Sequence, residues 1–294
     1  MRIDDAIVEQ LAALESLAPL HQPHNVAGVR AALRAFPGVP QVACFDTAFH
    51  RAQPEVHQRF ALPDAWHARG VRRYGFHGLS YESVCARLAA ETGGSGVRGR
   101  LVIAHLGNGA SLCAVRDSVP VATTMSFSPL DGLTMGTRCG RIDGAAVLHL
   151  LRAHDMTVAA VETLLARESG LLGLSGVSSD MRALEASTEP GARLAVDHFV
   201  EQLLQGIAAM AAALRGLDTL VFTAGIGENA AGLRARVGEA LAWAGVALDP
   251  AANAAHAPRI SAPASRVDVR VVRTDEESTI ARHTARVLAL RGTP

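Results

Sequence analysis

Five short segments combine glycine with charged or polar side chains of the kinds that handle phosphate groups. They are residues 45–50 (FDTAFH), 72–78 (RRYGFHG), 105–111 (HLGNGAS), 135–140 (MGTRCG) and 222–229 (FTAGIGEN). Glycine allows close backbone approach, arginine offers a forked permanent charge to phosphate oxygens, and carboxylates hold magnesium. Because phosphoryl transfer depends mainly on positioning and on neutralising charge, the combination predicts a phosphate-handling enzyme.

Each of these motifs also has a structural interpretation when it is taken alone. Asp46 could cap a turn, and Gly107 and Gly109 could serve a hairpin without any ligand. His77 is of a residue type that has many structural roles. Glu276 could do no more than interact favourably with the dipole of its own helix. The prediction of phosphate chemistry therefore depends on the motifs occurring together.

The composition excludes several classes of protein. The 294 residues predict about two domains or one large one, and a hydrophobic content of 49% is ample for buried cores. The 28 basic and 28 acidic residues cancel, so a general attraction to nucleic acid or to a membrane surface is not expected. No lysine occurs, which excludes a P-loop, and Gly225 and Gly227 match a dinucleotide fingerprint only in part. The four cysteines form no C-x-x-C pair, and a cytoplasmic location is expected.

Short apolar runs alternate with stretches of helical periodicity, which predicts an α/β architecture. The predicted strands are residues 41–45, 101–105, 111–116, 219–223 and 267–272. Several motifs follow the ends of these strands, where α/β proteins commonly bind ligands. Gly107, Asn108 and Gly109 tolerate positive φ angles and predict a tight hairpin between the second and third strands.

Three further predictions concern the second half of the chain. Residues 194–214 form one helix whose apolar residues recur every three or four positions, which predicts a core helix. Residues 249–265 lack periodicity and are rich in Ala, Pro and His, so they are expected to be a surface connection. Thr274 is expected to cap the last helix, with Glu277 reaching back to complete a capping box.

At these motifs the sequence strongly resembles the acetokinase family, which belongs to the actin, Hsp70 and sugar-kinase superfamily. The matching segments occur in the family's order and span nearly the whole chain. They are residues 45–50, 73–78, 105–111, 129–138, 168–173, 178–182, 222–229 and 274–277. The resemblance implies an α/β, actin-like ATPase (ribonuclease H-like) duplicated-domain fold. Residues 49–275 would form the second, nucleotide-binding domain. Residues 1–48, completed by the helix at 276–294, would be the remnant of an incomplete first domain.

The resemblance also implies a reaction and a set of site residues. The reaction is reversible transfer of the γ-phosphoryl group of ATP to the carboxylate of acetate with Mg²⁺, in a homodimer without nucleic-acid or membrane partners. Asp46, His77 and Arg138 match the catalytic residues, and Glu276 matches a glutamate associated with magnesium. The matches to ATP-binding positions are His105, Leu106, Gly107, Asn108, Gly109, Asp180, Met181, Arg182, Gly225, Ile226, Gly227, Glu228 and Asn229.

The chain departs from the family pattern at several positions. Gln22 replaces an asparagine after His21, Arg141 stands where an aspartate is usual, and Tyr81 stands where a second histidine is common. The family's opening phosphate-contacting turn has no counterpart in the sequence. Two alternatives therefore stay open: a nucleotide-binding protein without catalysis, and a kinase that prefers propionate or butyrate, since one methylene is discriminated by only ~1–3 kcal/mol.

Overall fold

A computed structural model describes residues 1–14, 22–91, 93 and 98–289. Its centre is a five-stranded mixed sheet in the order β3-β2-β1-β4-β5. The strands are β1 (Arg100–Leu106), β2 (Ala110–Arg116), β3 (Val119–Thr123), β4 (Thr219–Thr223) and β5 (Asp268–Val271). β1, β4 and β5 run parallel, whereas β2 is antiparallel to both β1 and β3. Four of the five predicted strands are confirmed.

The helices surround this sheet and connect its strands. They are α1 (Asp5–Ala12), α2 (Gln22–Ala35), α3 (Glu55–Gln58), α4 (Asp64–Ala68), α5 (Gly78–Glu91), α6 (Gly144–Ala153), α7 (Val158–Arg167), α8 (Gly170–Ser175), α9 (Met181–Glu185), α10 (Pro190–Leu214), α11 (Ala224–Asn229), α12 (Ala231–Ala240), α13 (Pro250–Ala254) and α14 (Glu276–Val287). Two short 3₁₀ helices lie at Phe49–Ala52 and Ala242–Ala244. In the described part of the chain, no helix is both long and apolar enough to cross a bilayer.

Both faces of the sheet are buried, and the alternation along β1 divides its side chains between two cores. Val102 and Ala104 belong to a large core that includes α10, whereas Leu101 and Ile103 belong to a smaller core that includes α5. Successive strand residues point to opposite faces, so a strand covered on both sides is apolar throughout. The predicted stripe on α10 is confirmed as core: Val196, Val200, Leu203, Ile207, Met210 and Leu214 are all buried.

The structure differs from the sequence predictions in the outer strands. Residues 41–45 form no strand, and only an isolated bridge pairs Val42 with Arg2. β3 escaped prediction because it is short and contains Pro120, which an edge strand tolerates. The departure at Gln22 falls partly outside the described residues: His21 is not among them, and Gln22 begins α2.

The two predictions around the last strand also need correction. Residues 249–265 are more than a surface connection, because they contain α13 and the fully buried Ile260. Thr274 does not cap α14. Asp275 is the N-cap residue, and its carboxylate accepts a hydrogen bond from the Ser278 N–H at 2.9 Å. Aspartate is a better N-cap than threonine, which explains why the helix begins after Asp275 and why the predicted capping box of Thr274 and Glu277 is wrong.

Candidate active site

The carboxyl ends of β1, β4 and β5 meet at one edge of the sheet, and the segments leaving them carry many of the predicted site residues. His105 near the end of β1 lies in register with Thr223 at the end of β4. β1 continues into the 107–109 turn, β4 into α11, and β5 leads to α14. Ligands of α/β proteins bind outside the carboxyl ends of the strands. This edge is therefore the candidate site.

The 107–109 turn joins β1 to β2 as predicted, with the Gly107 N–H donating to the Gly109 carbonyl oxygen at 3.0 Å. The expected positive φ angles are wrong, since none of the three residues adopts one. Gly109 is instead a place of close approach. A β-carbon there would lie 2.8 Å from Nη2 of Arg138 and 3.0 Å from Nε2 of His77. The two predicted catalytic side chains thus converge on this turn.

His77 is held at the start of α5 in an unusual backbone conformation. Its φ angle is +57°, in the left-handed region that side-chain-bearing residues seldom adopt. The following N–H, of Gly78, donates to the Asp46 carbonyl oxygen at 2.9 Å, and a β-carbon on Gly78 would overlap that oxygen. The His77 ring stacks on His105, with centroids 4.0 Å apart. Strained residues often mark functional sites because the surrounding contacts hold them in place.

The electrostatics of this region favour a bound anion. Burial, together with the nearby His105 and the Arg138 charge, lowers the pKa of His77 to about 2. Burial alone lowers the pKa of His105 to about 4. Burial also lowers the pKa of Arg138, whose Nη1 donates to the Pro129 carbonyl oxygen at 2.7 Å. An arginine stays charged in proteins, so the site offers one fixed cation beside two neutral imidazoles.

The site contains two carboxylates, Asp46 and Glu276, whose negative charges repel each other. Burial raises the pKa of Asp46, although the backbone N–H groups of Leu79 and His77 oppose the rise. Burial raises the pKa of Glu276 as well, and the negative charge of Asp46 adds to it. A divalent cation would relieve this repulsion, and Mg²⁺ is usually held by one or two carboxylates plus water and substrate phosphate. The pair fits that donor set. Over the residues that the structure describes, no group of three or more His, Cys, Asp or Glu forms a closed metal cage.

The predicted ATP-binding residues 180–182 lie near the 107–109 turn. A β-carbon on Gly136 would lie 2.5 Å from the Asn108 side-chain oxygen and 3.3 Å from the Ser179 carbonyl oxygen, which brings these segments together. Asp180 caps α9 and pairs with the exposed Arg182 at 2.7 Å, and these hydrogen bonds hold the pKa of Asp180 below its usual value. Met181 belongs to the main core. Its side chain therefore packs inward.

The predicted segment at 225–229 forms α11. Gly225 is exposed with open space around its α-carbon, and the Asn229 side chain donates to the Gly225 carbonyl oxygen at 2.8 Å. The Glu228 carboxylate accepts from the Ala224 N–H at 2.9 Å and from the Thr274 N–H at 3.2 Å. Glu228 thus ties the segment after β4 to the segment after β5, which is a positioning contact within the protein.

Sequence reasoning did not single out Arg234, although it is fully buried beneath α11. Its guanidinium donates to the carbonyl oxygens of Gly227 and Glu228, both at 2.9 Å, and to the side-chain and backbone oxygens of Asn253 at 2.8 and 2.9 Å. The carbonyl groups at the end of α11 are thereby satisfied. No motif marks Arg234, because Asn253, the partner that binds its guanidinium twice, lies on α13, 19 residues further along the chain.

The departures from the family pattern also have places in the structure. Arg141 is exposed, so solvent screens the reversed charge at that position. Tyr81 is fully buried on α5, and its hydroxyl forms a hydrogen bond with Ser111, which in turn contacts Nδ1 of His77 at 2.8 Å.

Comparison with known proteins decides the family. The model of the acetokinase family matches residues 1–282. The chain belongs to the acetokinase family. It is 53% identical over 283 residues to the acetate kinase of Rhodopseudomonas palustris (strain ATCC BAA-98 / CGA009), covering 96% of this chain and 71% of that protein. It is 50% identical over 287 residues to the acetate kinase of Rhizobium meliloti, covering 98% and 72%.

Solved acetokinase structures have the same fold. The acetate kinase of Porphyromonas gingivalis matches with a TM-score of 0.89 and 38% identity, over 98% of this chain and 74% of that one. A propionate kinase of Francisella tularensis subsp. tularensis SCHU S4 matches with a TM-score of 0.90 and 36% identity, over 96% and 73%. The prediction of an α/β, actin-like acetokinase fold is confirmed.

Proposed function

We propose that this chain catalyses transfer of the γ-phosphoryl group of ATP to the carboxylate of acetate, giving acetyl phosphate and ADP. The observation that carries the proposal is the convergence of Arg138 and His77 on Gly109, at 2.8 and 3.0 Å from the position of a β-carbon. Two hydrogen-bond donors beside a glycine turn can bind the equatorial oxygens of a phosphoryl group during its transfer. The choice of acetate as the acceptor rests on the relatives named acetate kinase.

The charge balance explains why no general base is needed. An acetate oxygen forms the new bond to the γ-phosphorus while the bond from that phosphorus to the β,γ-bridging oxygen breaks. Acetate (−1) and ATP (−4) become acetyl phosphate (−2) and ADP (−3), so total charge is conserved and no proton moves. Positive charge and neutral hydrogen-bond donors are then the useful groups. Arg138 with the low-pKa His77 is such a combination.

The remaining predicted residues divide into a metal side and a nucleotide side. Asp46 and Glu276 would hold Mg²⁺, which when bound neutralises phosphate charge and orients the phosphate chain. The 107–109 turn would contact the phosphates beside His105. Exposed Gly225 and Asn229 on α11, with residues 180–182, would line the adenosine pocket. The division into residues 1–48 with 276–294 and residues 49–275, and the homodimer, remain predictions.

Trapping with hydroxylamine tests the reaction directly, because an acyl phosphate acylates hydroxylamine to a hydroxamate whereas a free carboxylate does not. The purified chain is incubated with ATP, Mg²⁺ and acetate, propionate or butyrate in parallel. Arg138→Ala should lower the rate by ~10²–10³. Arg152→Ala removes an exposed arginine on α6 and should leave the rate unchanged.

Each outcome separates one function from another. Acetyl hydroxamate formed faster than the longer hydroxamates supports acetate as the acceptor, whereas the reverse order assigns the chain to the longer acids. Calorimetric binding of ADP without any hydroxamate would replace catalysis by nucleotide binding. Equal rates for the parent and Arg138→Ala would refute the role of the site.

A further inference from the structure

A chain of hydroxyl groups runs from the interior of the protein to His77. Tyr81 on α5 and Ser111 on β2 are both fully buried. The Tyr81 hydroxyl is hydrogen-bonded to Ser111 Oγ, and Ser111 Oγ lies 2.8 Å from Nδ1 of His77. In the described part of the protein, Ser111 is the one hydrogen-bond partner that the Tyr81 hydroxyl has. The order of the contacts is therefore Tyr81, Ser111, His77.

The number of hydrogens available determines which group donates in each of these two hydrogen bonds. A hydroxyl donates one hydrogen, and a neutral imidazole carries one N–H, on either Nδ1 or Nε2. If Nδ1 of His77 carried the hydrogen, that N–H would donate to Ser111 Oγ. The contact between Tyr81 and Ser111 would then be the only place left for two hydroxyl hydrogens, and it can hold one of them. One buried donor would then be unpaired, which costs about 1–3 kcal/mol. If Tyr81 donates to Ser111 and Ser111 donates to Nδ1, both buried hydroxyl hydrogens are paired.

The second arrangement leaves the His77 proton on Nε2, which is the nitrogen that faces the Gly109 turn. Nε2 would lie 3.0 Å from a β-carbon on Gly109, beside the Arg138 guanidinium. A hydrogen there can be donated to an anion in the site, whereas a bare lone pair would repel it. The tautomer of His77 therefore matters for an anionic ligand.

The stacked partner of His77 is held by a chain of the same design. Thr274 donates to Ser80 Oγ at 2.9 Å, and Ser80 Oγ lies 2.8 Å from Nδ1 of His105. Because Thr274 uses its own hydrogen in this contact, the Ser80 hydrogen is paired when it is donated to Nδ1 of His105. Both stacked imidazoles thus accept a serine hydrogen at Nδ1, so the two hydroxyl chains fix the same tautomer in His77 and His105.

We propose that Ser111, whose hydroxyl accepts from Tyr81 and donates to His77, is a positioning residue that holds His77 in its Nε2–H tautomer, so that this N–H is donated to the transferring phosphoryl group. The identity of that group depends on the proposed function, whereas the tautomer does not. The tyrosine stands where the family commonly has histidine, so the device is built from this chain's own residues. Burial raises the pKa of Tyr81 well above its usual value, which keeps its hydroxyl protonated.

Two variants interrupt the chain at different points. Tyr81→Phe keeps the ring, which packs against Phe49 and His105, and removes only the hydroxyl. The Ser111 hydrogen then has Nδ1 of His77 as its remaining acceptor, so the Nε2–H tautomer should persist. Ser111→Ala removes the contact to Nδ1 altogether, and the Nδ1–H tautomer should become populated. Tyr74→Phe is the matched control, because its hydroxyl donates to the Gly70 carbonyl oxygen at 2.7 Å, away from His77.

The first readout is spectroscopic and needs no substrate. Two-bond ¹⁵N–¹H correlation of histidine-labelled protein distinguishes the two tautomers of a neutral imidazole. The parent and Tyr74→Phe should show His77 as Nε2–H by about tenfold or more, the ratio that the cost of an unpaired donor implies. In Ser111→Ala this ratio should fall several-fold, whereas Tyr81→Phe should retain the Nε2–H form. Nδ1–H in the parent, or an unchanged ratio in Ser111→Ala, would overturn the proposal.

The second readout is kinetic. Ser111→Ala should lower kcat about tenfold with KM for ATP unchanged, because the cost of an unpaired donor no longer selects the Nε2–H tautomer, whereas Tyr74→Phe should keep the kcat of the parent. A parent-like kcat in Ser111→Ala would overturn the proposal. Were no substrate turned over at all, the proposed function would fail while the spectroscopic readout still decided the tautomer.

Discussion

Replacing Gly109 by alanine should remove most of the phosphoryl transfer while leaving the fold intact. The added β-carbon would lie 2.8 Å from Arg138 Nη2 and 3.0 Å from His77 Nε2. Because non-bonded carbon contacts are comfortable only from about 3.5 Å, the two groups must retreat by about 0.5–0.7 Å. Misplacement on the order of 1 Å can cost ~10²-fold in rate, so kcat should fall by roughly that factor.

The same geometry predicts little loss of stability. The backbone of Gly109 does not need a positive φ angle, and the atoms that must move are the ends of side chains. The melting temperature should therefore change by no more than about 2–4 °C, the equivalent of 1 kcal/mol. Gly144→Ala makes the same chemical change at the start of α6, where nothing lies within 4 Å, and serves as the control. Steady-state kinetics and thermal melting of the three proteins are the assays. A parent-like kcat in Gly109→Ala, or a loss explained by unfolding, would refute the reasoning.

Three further predictions concern the supports of the site. Arg234→Met should lower the free energy of unfolding by about 3 kcal/mol or more and weaken ADP binding, because buried carbonyl groups lose their donor. The control, Arg236→Met, removes a surface ion pair and should cost under about 1 kcal/mol. Denaturant titration measures the free energies of unfolding, and calorimetry measures ADP binding. Glu276→Gln should raise the Mg²⁺ concentration needed for half-maximal activity. Because burial and the neighbouring charge raise the pKa of Glu276, its ionised form is disfavoured by folding. The metal-free variant should therefore melt higher than the parent above that raised pKa, and the difference should shrink as the pH falls and vanish below the ordinary pKa of a glutamate. Asp275→Ala removes the cap of α14 and should lower the free energy of unfolding, measured by denaturant titration, by about 1 kcal/mol. An unchanged free energy of unfolding would show that another residue caps this helix.

Features encoded by local periodicity could be predicted from the sequence. β4 was predicted at its observed bounds and the stripe of α10 at every position, because both patterns report which side chains face the core. Residues 41–45 have the same apolar character but find only one bridge partner in the structure. A strand depends on its neighbours as well as on its own residues, and the sequence of the segment carries no information about them.

The candidate site divides in the same way. His77, Arg138 and Gly109 could be predicted from motifs, but the reason for the glycine could not, since it lies in the approach of side chains from distant segments. The links between Tyr81 and Ser111, thirty residues apart, and between Arg234 and Asn253 depend on tertiary packing. Buried polar networks of this kind must be paired to be tolerated, and that pairing is visible only in the fold.

The most direct test of the account is the reverse reaction followed by ³¹P NMR. Acetyl phosphate and ADP are added with Mg²⁺ to the purified chain, and the β- and γ-phosphate resonances of ATP are recorded over time. The account predicts that these resonances grow as that of acetyl phosphate declines, with a rate lower by ~10²–10³ in Arg138→Ala. Loss of acetyl phosphate to inorganic phosphate without ATP, or ATP formed equally fast by Arg138→Ala, would contradict it.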